Sequence, residues 1–129
     1  MSAGRCTLLI MPGESAEFGD AYWMNREASL HPARVGKAAR PVACMAERPL
    51  DTTWAGLPRV TSDVKAGDLA SAPMPALGLD RAGWWTARYV HPVLKTMTGV
   101  RGRCDYLGKL PASEVKIARK VYSRRLHDS

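Results

Sequence analysis

The chain has 129 residues, enough for one domain that closes its own core. Its 46% hydrophobic and 24% charged content is that of a globular protein and excludes wholesale disorder. A formal net charge of +7 favours a polyanionic partner, whether nucleic acid, an anionic membrane surface or an acidic protein.

Lysine and arginine crowd the C-terminal third, from Arg88 to Arg125, opposed there only by Asp105, Glu114 and Asp128. No apolar run approaches the roughly 20 residues that cross a bilayer. Leu8-Leu9-Ile10-Met11, preceded only by Arg5, is too short for an export signal. The cysteines Cys6, Cys44 and Cys104 form no close pair and no Cys/His cluster. The expectation is free thiols in a reducing cytoplasm, no metal site and no cofactor.

In chain order, Cys6 to Met11 reads as a short strand closed by Pro12-Gly13. With its neighbours it forms an N-terminal extension over residues 1–17, ahead of a single domain over 18–129. Phe18 to Asn25 is an aromatic strand, with Tyr22 and Trp23 expected in the core. Residues 26–39 have no period and read as a polar loop. Pro41 lacks an N–H and suits a strand start, and Val42 to Ala46 is apolar throughout, as in a strand buried on both faces, with a short helix left open by period alone. Trp54 to Thr61 is a further strand, and Pro58 within it predicts an edge or a bulge.

Residues 62–75 read as a long loop or an irregular hairpin, and residues 78–83 as a turn cluster. Trp84 to Val90 reads as the most strongly marked strand, continuing past His91-Pro92 to Leu94; one of Trp84 and Trp85 must face the core. A short strand over Arg103 to Gly108 follows. Pro111 opens an amphipathic helix: Val115, Ile117, Ala118, Val121, Tyr122 and Leu126 share one side, and Lys116, Arg119, Lys120 and Arg124 the other. Glu114 lies near the positive end of its dipole. These elements define a strand-rich α+β fold, a small barrel-like antiparallel sheet crossed by a C-terminal helix.

Two successive apolar runs carry the chemistry. Arg40 opens the first, and the hydroxyl pair Thr61-Ser62 closes the second. An arginine fork and a hydroxyl brought together receive a phosphate well.

The order of motifs resembles the MazF/PemK-like toxins of the CcdB/PemK superfamily. The pieces are Gly19-Asp20-Ala21-Tyr22-Trp23, Arg40-Pro41-Val42, Val60-Thr61-Ser62, Gly78-Leu79-Asp80-Arg81 and Leu107-Gly108-Lys109-Leu110. The family's Gly-Ser-Glu-Gln before Arg-Pro is matched only by Gly36, and its late acidic-Gln strand is replaced by Arg88-Tyr89 and His91-Pro92.

The resemblance implies an SH3-like (PemK-like) barrel and a homodimer neutralised by an acidic antitoxin protein. It also implies metal-independent cleavage of single-stranded RNA. In that reaction the ribose 2′-hydroxyl attacks phosphorus and the 5′-oxygen leaves. Arg40 and Thr61 then neutralise the phosphorane, with Ser62 as a second hydroxyl, and Arg34, Lys37, Arg59, Lys65 and Arg81 are candidate RNA contacts. His31, Glu27 and His91 are candidate bases, on segments other than that of Thr61. The competing readings are a non-catalytic superfamily member that binds and inhibits a host protein, and a basic nucleic-acid-binding module.

Overall fold

The computed structural model describes residues 16–35, 39–47, 52–88 and 90–128. The expected strand at Cys6 to Met11 lies outside them. The strands are β1 (Asp20–Met24), β2 (Arg40–Glu47), β3 (Thr53–Val60), β4 (Leu69–Ser71), β5 (Gly83–Trp85), β6 (His91–Leu94) and β7 (Cys104–Lys109). The helices are α1 (Pro32–Val35) and α2 (Ala112–Asp128). Short 3-10 turns lie at Arg26–Ala28, Pro75–Leu77 and Lys95–Met97.

The strands make one seven-stranded sheet in the order β4-β5-β3-β2-β1-β7, with β6 also on β3. Every pairing between them is antiparallel. Among the described residues this path is open, with β4 and β7 at its ends, so the barrel expected from the sequence is not closed by hydrogen bonds. One face of the sheet is covered instead by α2, which packs on β2, β4 and β5.

Burial follows the pleat, in which successive side chains point to opposite faces. On one face, Tyr22, Met24, Val42, Cys44, Trp54, Val93 and Cys104 form a core closed by Ala28 and Val35 from the 26–35 segment. On the other, Ala21, Ala43, Met45, Leu57 and Trp85 meet Leu110, Ala118 and Val121 beneath α2. The continuous apolar run of β2 is thus buried on both sides. Burial pushes the Cys104 thiol up to about 12, because a thiolate there has no water to solvate it.

Several local expectations change. Residues 26–39 are not plain loop, since α1 delivers Val35 to the core. Within residues 62–75, read as a loop or an irregular hairpin, β4 forms and pairs antiparallel with β5. The aromatic strand ends at Trp85 rather than Leu94. After it the Thr86 hydroxyl accepts the backbone N–H of Arg88 at 3.3 Å and its Nε at 3.1 Å, which holds a turn there. β6 then pairs with a different part of β3.

Pro58 is buried in a central strand, not on an edge. β3 pairs with β6 through Thr53–Gly56 and with β5 through Arg59–Val60, so Pro58 falls where the partner changes. Its carbonyl accepts the Thr86 N–H at 3.1 Å. The missing N–H faces the same side, into the gap between partners, where no ladder bond is lost.

Candidate anion-binding cleft

At the end of the sheet where β2 begins and β3 ends, an open cleft of about 480 Å³ is lined by Arg40, Thr61, Ser62, Asp63, Asp80, Arg81, Arg88 and Trp23, among others. Its geometry follows from register. Val42 lies opposite Pro58, so the antiparallel ladder carries Arg40 and Val60-Thr61 to the same end of the sheet. The Arg40 Nε donates to the Val35 carbonyl at 2.8 Å, which fixes the plane of the guanidinium at the rim. Among the described residues no carboxylate pairs with it.

Arg59, a candidate RNA contact by sequence, is only 3% exposed and braces the cleft from behind. Its Nε donates to Ser71 Oγ at 2.8 Å, and its Nη2 to the carbonyls of Ala72 at 3.0 Å and Arg81 at 2.7 Å. Ser71 Oγ in turn donates to Glu114 Oε1 at 2.5 Å, and that carboxylate also accepts Trp85 Nε1 at 2.9 Å and the Ala72 N–H at 3.1 Å. Burial lowers the Arg59 guanidinium's affinity for its proton, and the Glu114 charge counters that. Gly83 admits the group: a Cβ there would meet the Val60 carbonyl at 2.6 Å and Arg59 Cζ at 3.1 Å. Glu114, expected to serve the helix dipole, is therefore the buried anchor that ties α2 to β4 and β5.

The cleft's two carboxylates differ. Asp63 takes a positive φ of 59°, which Asp tolerates better than most residues. It is paired with Lys65 Nζ at 3.1 Å and Arg88 Nη1 at 3.2 Å. Those hydrogen bonds, Lys65 first, hold its carboxyl below the ordinary range. Arg88 also approaches Asp68 at 3.7 Å. Asp80 sits between two fixed points. Leu79 and Met74 exchange backbone hydrogen bonds at 2.6 and 3.0 Å, and the Arg81 carbonyl is held by Arg59.

The other expected residues scatter. Lys37 lies outside the described residues. Arg34 and His31 line a separate depression of about 390 Å³ with His91, Trp54 and Tyr122. Burial, reinforced by the charges of Arg40 and Arg34, pushes His91 down to about 4. Glu27 pairs with Arg103 and accepts from Asn25. None of the three expected bases lines the cleft. Lys65 reaches it only through Asp63.

Trp23, expected in the core, is 41% exposed and lines the cleft, whereas Tyr22 is buried. Trp85 takes the core position and Trp84 is half-buried. Asp20 of the Gly-Asp pair is structural: it accepts Lys109 Nζ at 2.8 Å and the Glu17 N–H at 2.8 Å, joining β1 to β7.

Trp23, Asp63, Asp80 and Arg88 belong to the cleft without having been singled out as site residues. The Gly78-Leu79-Asp80-Arg81 motif already contained one of them. The exposed basic residues of α2, Lys116, Arg119, Lys120 and Arg124, are not among the lining residues. Arg119 lies over the Phe18 ring at 5.9 Å.

Among the described residues no helix is long and apolar enough to cross a membrane, and no group of three or more His, Cys, Asp or Glu is placed to hold a metal ion. Fold and site together describe a strand-rich α+β domain with a basic, hydroxyl-bearing cleft. No protein-family model and no curated protein matches the chain.

Proposed function

We propose that the protein is an endoribonuclease that cleaves single-stranded RNA without a metal ion, of the MazF/PemK-like toxin type. The observation that carries this reading is the convergence of Arg40, Thr61 and Ser62 in one cleft that also holds Arg81 and Trp23. In the reaction the Arg40 fork and the Thr61 hydroxyl stabilise the nonbridging oxygens as the phosphorane forms. Arg81 offers a further positive charge to the backbone, and the exposed Trp23 ring a face for a base. The SH3-like barrel, the homodimer and the acidic antitoxin belong to the same reading and rest on the motif resemblance.

The second reading, a superfamily member that binds and inhibits a host protein without cutting RNA, is favoured by Arg88. It stands where the family pattern carries its acidic residue, and it is engaged with Asp63. Incubation of purified protein with a long RNA in excess EDTA, followed by mapping of the ends, separates the two. Discrete cuts leaving 2′,3′-cyclic phosphates are expected. Intact RNA at stoichiometric protein gives the second reading precedence.

A further inference from the structure

We infer that Asp80 is the proton acceptor of this cleft, the group that deprotonates the attacking 2′-hydroxyl; the inference rests on the RNA-cleavage reading above. The reaction needs an acceptor, and the cleft's arginines cannot serve, because they hold their protons too tightly. Hydroxyls do not serve either without a base of their own. That leaves the two carboxylates. Asp63 is engaged by Lys65 at 3.1 Å and Arg88 at 3.2 Å, so its oxygens are committed to neighbouring cations. Asp80 is exposed to the cleft and forms no ion pair among the described residues.

Its position is nonetheless defined, which a base requires. The residue before it is locked to Met74 by paired backbone hydrogen bonds, and the residue after it is held through its carbonyl by buried Arg59 at 2.7 Å. A side chain free to accept, on a backbone fixed at both sides, is the arrangement that proton transfer favours.

The step balances. The 2′-hydroxyl proton passes to an Asp80 carboxylate oxygen as the 2′-oxygen bonds to phosphorus. The P–O5′ bond breaks, its electron pair leaves on the 5′-oxygen, and that oxygen takes a proton from water. The hydroxide so formed removes the proton from Asp80, and the products are a 2′,3′-cyclic phosphate and a 5′-hydroxyl.

The test compares Asp80→Asn, Asp80→Glu and Asp63→Asn with the wild-type chain, by single-turnover cleavage of one RNA and by binding of its uncleavable 2′-deoxy analogue. Asp80→Asn is expected to cut about 10²–10⁴-fold more slowly. Its binding should be equal or tighter, because a negative charge facing phosphate is gone. Asp80→Glu should recover part of the rate, and Asp63→Asn should lose less than Asp80→Asn. Melting midpoints separate a lost base from a lost fold. Wild-type cleavage by Asp80→Asn overturns the inference and leaves the nuclease reading intact, as does a larger loss in Asp63→Asn. If the wild-type chain cuts no RNA, the nuclease reading fails and the inference falls with it.

Discussion

The Arg59 guanidinium reaches the Arg81 carbonyl at 2.7 Å, so one buried arginine holds the backbone that presents another to the cleft. The same group is linked through Ser71 to Glu114 on α2. Replacing Arg59 with Met leaves the buried Glu114 carboxylate without its compensating charge. We predict a loss of about 1–3 kcal/mol, the cost of leaving buried hydrogen-bonding groups without their partner. Urea unfolding of Arg59→Met against wild type measures it. The double variant Arg59→Met with Glu114→Gln should recover part of that loss, because the stranded charge is then absent.

Arg40 and Thr61 should act as one unit. Arg40→Ala and Thr61→Ala are each expected to slow single-turnover cleavage by about 10²-fold or more, and the double variant by less than the product of the two. Arg40→Lys should behave much like Arg40→Ala. A lysine cannot keep the bond to the Val35 carbonyl and present a fork to phosphate at once. Wild-type rates in a folded Arg40→Ala protein would move the site elsewhere.

RNA binding should weaken steeply with salt, since phosphate contacts displace condensed counterions. The Arg81 side chain is exposed in the cleft, and its backbone stays anchored whatever the side chain is. Arg81→Ala should therefore reduce the slope of log K against log salt by about 0.7, the share of one contact on a single strand. Filter binding from low to physiological salt reads this directly, and an unchanged slope would remove Arg81 from the phosphate contacts.

Stability should depend on His91. Its folded value of about 4 lies below the ordinary 6.5, so between these values the unfolded chain binds a proton that the folded chain refuses. The stabilisation is therefore present in full above about pH 6.5, is lost as pH falls toward 4, and levels off below that. At about 1.4 kcal/mol per pH unit the swing is on the order of 3 kcal/mol. The charged groups that deepen the effect are Arg40 from β2 and Arg34 from α1. Guanidinium unfolding of wild type and His91→Gln at pH 7 and pH 4.5 should show the variant losing markedly less stability on acidification.

Much of the sheet was legible from residue pattern. The unbroken apolar run of β2 announced burial on both faces, and the spacing of Val115, Ala118 and Val121 announced the buried side of α2. Arg40 and the Thr61-Ser62 pair were legible as site residues because each stands at the boundary of an apolar run, where register brings strand ends together. What was illegible depended on long-range partners. Nothing near Arg59 or Glu114 in sequence shows that they meet through Ser71. Pro58 reads as an edge signal unless it is known that β3 changes partners beside it. Trp23 reads as core because β1 is aromatic; only the placement of α2 reveals that it is left uncovered.

The carboxylate that secures the cleft's rear wall is contributed by α2, which follows all seven strands in the described chain. Glu114 follows Ser71 by 43 residues and Trp85 by 29. A ribosome therefore releases the whole of β1 through β7, with Arg40, Thr61 and Asp80 already made, before the group that ties the Arg59 brace to a helix exists outside the exit tunnel. Until then the Ser71 hydroxyl, the Trp85 indole N–H and the Ala72 N–H lack the acceptor they share. A chain that stops short of Glu114 bears every residue of the cleft and still lacks the anchor of its rear wall.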